Sequence, residues 1–195
     1  ALHSGNATAF AARPRLHGQA PFGTEDEAFS ATPITYPLYF KPDFLGVGDF
    51  DNDGNMDIVA AEYGGRALFV IPGDGQGNWG DPVSIALPGA LTALAVGEIN
   101  RRDNIADIAS AIRTKQGGQV LVFESPRGVL RAEPEVYPLP GAATFLELGL
   151  FDKDVYHDCA VAVGSELILI HGRDRRLASP EKRRARVPPA ETRRW

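Results

Sequence analysis

Three segments of this chain repeat one pattern at a nearly constant interval. Phe44 to Asp51 reads FLGVGDFD, Ala93 to Asn100 reads ALAVGEIN, and Phe145 to Asp152 reads FLELGLFD. Their shared glycines are Gly48, Gly97 and Gly149, so the spacings are 49 and 52 residues. Ten residues before each glycine stands a leucine: Leu38, Leu87 and Leu139. Leu87 and Leu139 open the same tetrapeptide, Leu-Pro-Gly-Ala. A fixed period of this length is how a chain built from stacked supersecondary units announces itself.

Within each unit the apolar residues fall in short runs separated by Gly, Pro, Asp and Asn, and no stretch sustains a helical period. The first unit contains Asp57 to Ala61, Ala67 to Ile71 and Val83 to Leu87. The second repeats this with Asp107 to Ala111 and Val120 to Phe123, and the third with Asp158 to Val161 and Leu167 to Ile170. Four short strands in every fifty residues describe a propeller blade. The expected fold is all-β, a partial β-propeller of about three four-stranded blades plus incomplete flanking blades. Residues 38–87 form a blade with a metal loop, 88–139 a blade with a degenerate loop, and 140–195 a blade with a partial loop plus the start of a further, truncated blade. Residues 1–37 are the remnant of a preceding blade or an N-terminal arm. Arg186 to Ala190 can be laid on the Leu87 and Leu139 segments, which makes the tail outer strand and connector, not a separate arm.

Charge narrows the partners. Residues 1–171 hold 11 Lys and Arg against 22 Asp and Glu, whereas residues 172–195 hold 9 against 3. An acidic body suits cations and argues against nucleic acid, whose binding rests on a basic face. No apolar run reaches the roughly 20 residues of a membrane helix, so no membrane insertion is expected. Ala1 reads as a processed or cut end. Cys159, the single cysteine, lies in the apolar run Cys159 to Val163 and is expected to be a small core residue.

The chemistry concentrates in Asp49-Phe50-Asp51-Asn52-Asp53-Gly54-Asn55-Met56-Asp57. Acids at positions 1, 3 and 5 turn their oxygens toward one point when the backbone curls, and a glycine at position 6 permits the reversal. The Asn55 carbonyl at position 7 and the Asp57 carboxylate at position 9 complete an all-oxygen shell, for which Ca²⁺ is the first choice. Without a cation, four carboxylates in nine residues repel one another. An EF-hand is excluded, because position 12 is Ala60 and strands replace the flanking helices.

Gly48 to Val59 closely resembles the core motif of FG-GAP/VCBS-type propeller repeats, which also occur in the integrin α-subunit head and in bacterial secreted proteins. Pro72 to Trp79 is similar to the hairpin that follows in that family. The resemblance covers roughly residues 33–172. It implies calcium in the loop between the first two strands of a blade, with ligands bound mostly on other faces of the ring. The third unit matches with Asp152, Asp154 and Asp158, but Leu150 replaces the first acid and Val155 the glycine, leaving a weak secondary candidate. In the second, Glu98 and Asn100 precede Arg101 and Arg102, and a guanidinium is expected in place of an ion.

Other motifs carry less. Gly75 to Gly80 fits a dinucleotide pattern, yet Asp81-Pro82 and a strand follow instead of a helix, so it reads as a hairpin turn. His3, His17, His157 and His171 show no zinc or triad spacing, and His157 is expected to be a loop hydrogen-bonder. Asn6-Ala7-Thr8 is a possible glycosylation sequon, while Tyr63, Phe69 and Trp79 suit packing between blades better than a sugar-binding surface. The expected function is a non-catalytic binding or adhesion scaffold, secreted or at the cell surface, stabilised by calcium and engaging a protein or glycan. The alternative is the propeller portion of a secreted polysaccharide lyase or hydrolase. Pairing with the remainder of a parent propeller is also expected, with Ile58, Val59, Phe69 and Val70 exposed at one end and Val161, Ile168 and Ile170 at the other.

Overall fold

The computed structural model describes residues 35–99, 103–124, 128–173 and 192–194. By its contacts the chain divides into two units, Ala1–Tyr39 and Phe40–Trp195. In the first, the described residues 35–39 have no regular structure. The sequon at Asn6 and the arginines Arg101 and Arg102 lie outside the described residues.

The second unit is three four-stranded antiparallel sheets. The first is a meander of β1 (Phe44–Gly48), β2 (Asp57–Ala61), β3 (Ala67–Ile71) and β4 (Val83–Ala86). The next is β5 (Ala90–Gly97), β6 (Asp107–Thr114), β7 (Gly117–Phe123) and β8 (Glu135–Leu139). The third runs β9 (Ala143–Gly149), β10 (Asp158–Val163), β11 (Glu166–Ile170) and β12 (Thr192–Arg194). The described residues contain no α-helix, only a 3-10 turn at Val129–Arg131. These are blade-like sheets of a partial propeller, and the all-β expectation holds.

Register explains why the repeat glycine recurs. Gly48 pairs with Asp57, Gly97 with Asp107, and Gly149 with Asp158, so in each sheet the glycine and the aspartate close the first hairpin loop. β1 lies beside β5, and β5 beside β9, so the first strands of the three sheets stand side by side. Gly46 belongs to that seam, since a Cβ there would run into the Val96 side chain.

Strand alternation then assigns the faces. One core joins the first two sheets through Val59, Leu68, Val70, Ile108 and Leu121, with Phe44 and Val96 packed against it. A second joins the next pair through Ala93, Val120, Leu146, Val161, Ile168 and Ile170. Val59, Val70, Val161, Ile168 and Ile170 are therefore buried, against the expectation that they would be exposed. The residues of opposite parity are the exposed ones: Leu45 (68%) and Val47 (61%) on the first sheet, Phe145 (60%) on the third. Alternation identifies two faces of a strand, but only the neighbour decides which one is covered. Cys159 is buried in the second core as expected, and burial pushes its thiol up to about 12.

Candidate metal centre

The loop between β1 and β2 is tied to its surroundings at three points. Phe50 is completely buried in the core between the first two sheets, with Ile108, Phe123 and Val129. Its carbonyl accepts from Val129 N at 2.8 Å, and the Asp49 carbonyl accepts from Ala106 N at 2.9 Å. The loop is thus a built part of the blade interface.

Its carboxylates divide into two kinds. Asp57, fully buried, accepts Phe50 N at 2.8 Å and Gly73 N at 2.9 Å, one on each oxygen. Asp49 caps the curl, accepting Asn52 N at 2.7 Å and Asp53 N at 3.3 Å on Oδ1 and Gly54 N at 2.9 Å on Oδ2. Two residues of that curl adopt positive φ, Asn52 at 65° and Gly54 at 87°; the glycine does so without a steric cost. Asp51 accepts Asp53 N at 3.1 Å on a single oxygen.

Asp49, Asp51 and Asp57 each bring a ligand oxygen within 4.8 Å of the others. Asp53 stands apart from that trio, its oxygens accepting Asn55 N at 2.7 Å and Asn55 Nδ2 at 3.0 Å. Burial, then the nearby charges of Asp57, Asp53 and Asp49, raises the Asp51 carboxyl above the usual range. Burial likewise raises Asp57, against the two backbone donors. An all-oxygen trio gathered this closely fits a hard cation such as Ca²⁺, because spare lone pairs remain beyond the backbone hydrogen bonds.

The hairpin after β3 braces the same loop. Gly73 pairs with Trp79, and the Asp74 carboxylate closes the turn by accepting Asn78 Nδ2, Gln76 N and Asn78 N at 2.7–3.0 Å. A Cβ at Gly75 (φ 69°) would press on Asn55 Oδ1. The dinucleotide-like glycines therefore make a turn, with no helix beside them.

The structural aspartate recurs in every sheet. Asp107 accepts Ile99 N at 2.9 Å, and Asp158 accepts Phe151 N at 3.0 Å and Gly172 N at 2.8 Å. Residues 49–110, from the first acidic loop to the middle of β6, match the FG-GAP-like repeat family. The chain carries an FG-GAP-like repeat. No curated protein matches it significantly. The match begins at Asp49 and crosses from the first sheet into the second, so the FG-GAP-like unit includes the interface that Phe50 plugs.

The other two loops depart from the first. Among the described residues, Asp107 of the second joins no cluster of metal-ligating groups. Burial pushes its carboxyl up to about 8, the Ile99 amide opposes this, and Glu124, Asp103 and Glu98 add to the rise. In an unfolded chain the same carboxyl titrates near 3.9. Between roughly pH 4 and 8 the folded state therefore keeps a proton that the unfolded state has lost, and stability falls as pH rises through that window. Asp107→Asn keeps an acceptor for Ile99 N and removes the titration. In thermal melts with EDTA, the variant should lose less stability than the parent between pH 5 and 8, and exceed it at pH 8 by at least about 1 kcal/mol. Parallel slopes for the two proteins would count against a protonated Asp107.

In the third loop, Asp154 accepts Tyr156 N at 2.8 Å and joins no metal-ligating cluster among the described residues. Asp152 and Asp158 instead gather with His171, which spacing had not singled out. His171 lies beyond β11, and only strand pairing brings it back. A cleft between the second and third sheets is lined by Glu135, Tyr137, His157, Cys159, His171 and Arg173. Its polar groups largely answer one another. Tyr137 Oη donates to Glu135 at 2.7 Å, Arg173 reaches both Glu135 oxygens at 3.4 Å, and His157 Nδ1 contacts the Glu98 carbonyl. Of the three aromatics, Phe69 stacks on Phe40 at 4.4 Å between centroids, while Tyr63 is exposed.

Proposed function

We propose that the protein is a non-catalytic binding scaffold that works outside the cell, holds Ca²⁺ in the loop at Asp49, Asp51 and Asp57, and engages a protein or glycan partner. The carrying observation is the convergence of three carboxylates on one loop, two of them raised by burial and by neighbouring aspartates. The cation would be held by these three, with Asp53 and the Asn55 carbonyl as the remaining candidates within the loop. It would neutralise a repulsion that otherwise opposes folding, so calcium acts on stability and leaves the chemistry of any partner to other surfaces. The cleft supports the non-catalytic reading, since its tyrosine, arginine and glutamate are bonded to one another. The exposed Leu45, Val47 and Phe145 suit pairing with further blades of the same kind.

Calcium titration followed by thermal melting tests the proposal. At a hundredfold excess over Kd, binding should add about 2.7 kcal/mol, equivalent to a rise of roughly 5–10 °C for a domain of this size. A melting temperature indifferent to both calcium and EDTA would remove the calcium site. Turnover of a glycan, peptide or ester that His157→Ala abolishes would overturn the scaffold reading.

A further inference from the structure

We propose that Asp152, Asp158 and His171 form a second metal site, selective for a divalent transition ion of the zinc class and not for calcium. One donor atom from each lies within 4.8 Å of the others. His171 Nδ1 stands 3.2 Å from Asp152 Oδ2 and 3.3 Å from Asp158 Oδ1. That nitrogen is sealed from solvent and makes no hydrogen bond. An imidazolium held between two carboxylates would make charge-assisted hydrogen bonds of about 2.7–2.9 Å. Tetrahedral zinc, with bonds of about 2.0–2.2 Å, spaces its neighbouring donors by roughly 3.3–3.5 Å, close to the two imidazole–carboxylate separations.

The site occupies the position of the calcium loop but with its donors exchanged. Gly172 N donates to Asp158 as Gly73 N donates to Asp57, so His171 takes the place of Pro72. Leu150 takes the place of Asp49, and Val155 that of the turn glycine Gly54. An oxygen donor and the turn glycine are lost and an imidazole is gained. Calcium wants six to eight oxygens, whereas an imidazole with two carboxylates suits zinc and its neighbours, leaving one tetrahedral position for water. Backbone donors already hold one of the ligands in place. Asp158 is fully buried and oriented by Phe151 N and Gly172 N. Arg173, two residues beyond His171, is paired with Glu135 at 3.4 Å.

The test is calorimetric titration of the full chain with Zn²⁺, and with Co²⁺ read by its visible absorption. One equivalent should bind and give the bands of a tetrahedral cobalt centre. His171→Ala, or the more exposed Asp152→Asn should the first misfold, should weaken binding at least tenfold. Asp51→Ala should leave it unchanged, which separates this site from the calcium loop. Excess Ca²⁺ should not displace the cobalt. Zinc binding that is absent, that survives both substitutions, or that calcium reverses would overturn the assignment.

Discussion

Replacing Phe50 with alanine is expected to destabilise the protein by about 3–5 kcal/mol, because it empties a fully buried aromatic site in the core between two sheets. The residue is the second position of an acidic loop, where an exposed turn would be the ordinary expectation. It is buried because the next sheet closes over it. The corresponding residues of the other units set the scale. Ile99 packs against the core between the second and third sheets. Phe151, in the loop between β9 and β10, is 49% exposed. Phe151→Ala should consequently lie within about 1 kcal/mol of the parent. Denaturant melts of both variants in EDTA measure the difference. Equal losses would mean that the loop aromatics act within their own turn and do not join neighbouring sheets.

Asp57→Ala should cost about 2–5 kcal/mol even in EDTA, since it strands the buried N–H groups of Phe50 and Gly73 at once, and more with calcium, since it also removes a ligand. Asp51→Ala should behave differently. That side chain accepts one exposed backbone bond, so the variant should melt near the parent in EDTA and fail to gain stability with calcium. The contrast separates two roles that one motif combines: Asp57 builds the loop as well as facing the cation, and Asp51 serves the cation alone. Melting each variant with calcium and with chelator provides the four values needed. A calcium response retained by Asp51→Ala would remove that residue from the site, and a mild Asp57→Ala would deny the clamp.

The fifty-residue period and the short apolar runs determined by themselves that the chain makes blade-like sheets. Strand pairing inside a hairpin depends on residues close in sequence, so Asp57 to Ala61 and Ala67 to Ile71 were legible to the residue. The acidic loop was legible for the same reason, because its curl is written by neighbours: Asp49 caps Asn52 and Gly54 a few residues on. Tertiary structure alone decided which carboxylates converge. Asp53 alternates correctly with Asp49 and Asp51, yet it turns to Asn55. His171 is 13 residues from Asp158 and reaches it because β10 and β11 pair antiparallel, which returns the chain to the loop it left. Tertiary structure also decided which face of each blade is covered. Alternation is symmetric between the two sides of a strand, so Val161 and Phe145 look equally apolar in sequence. Packing against the second sheet buries the first of them and leaves the other in solvent.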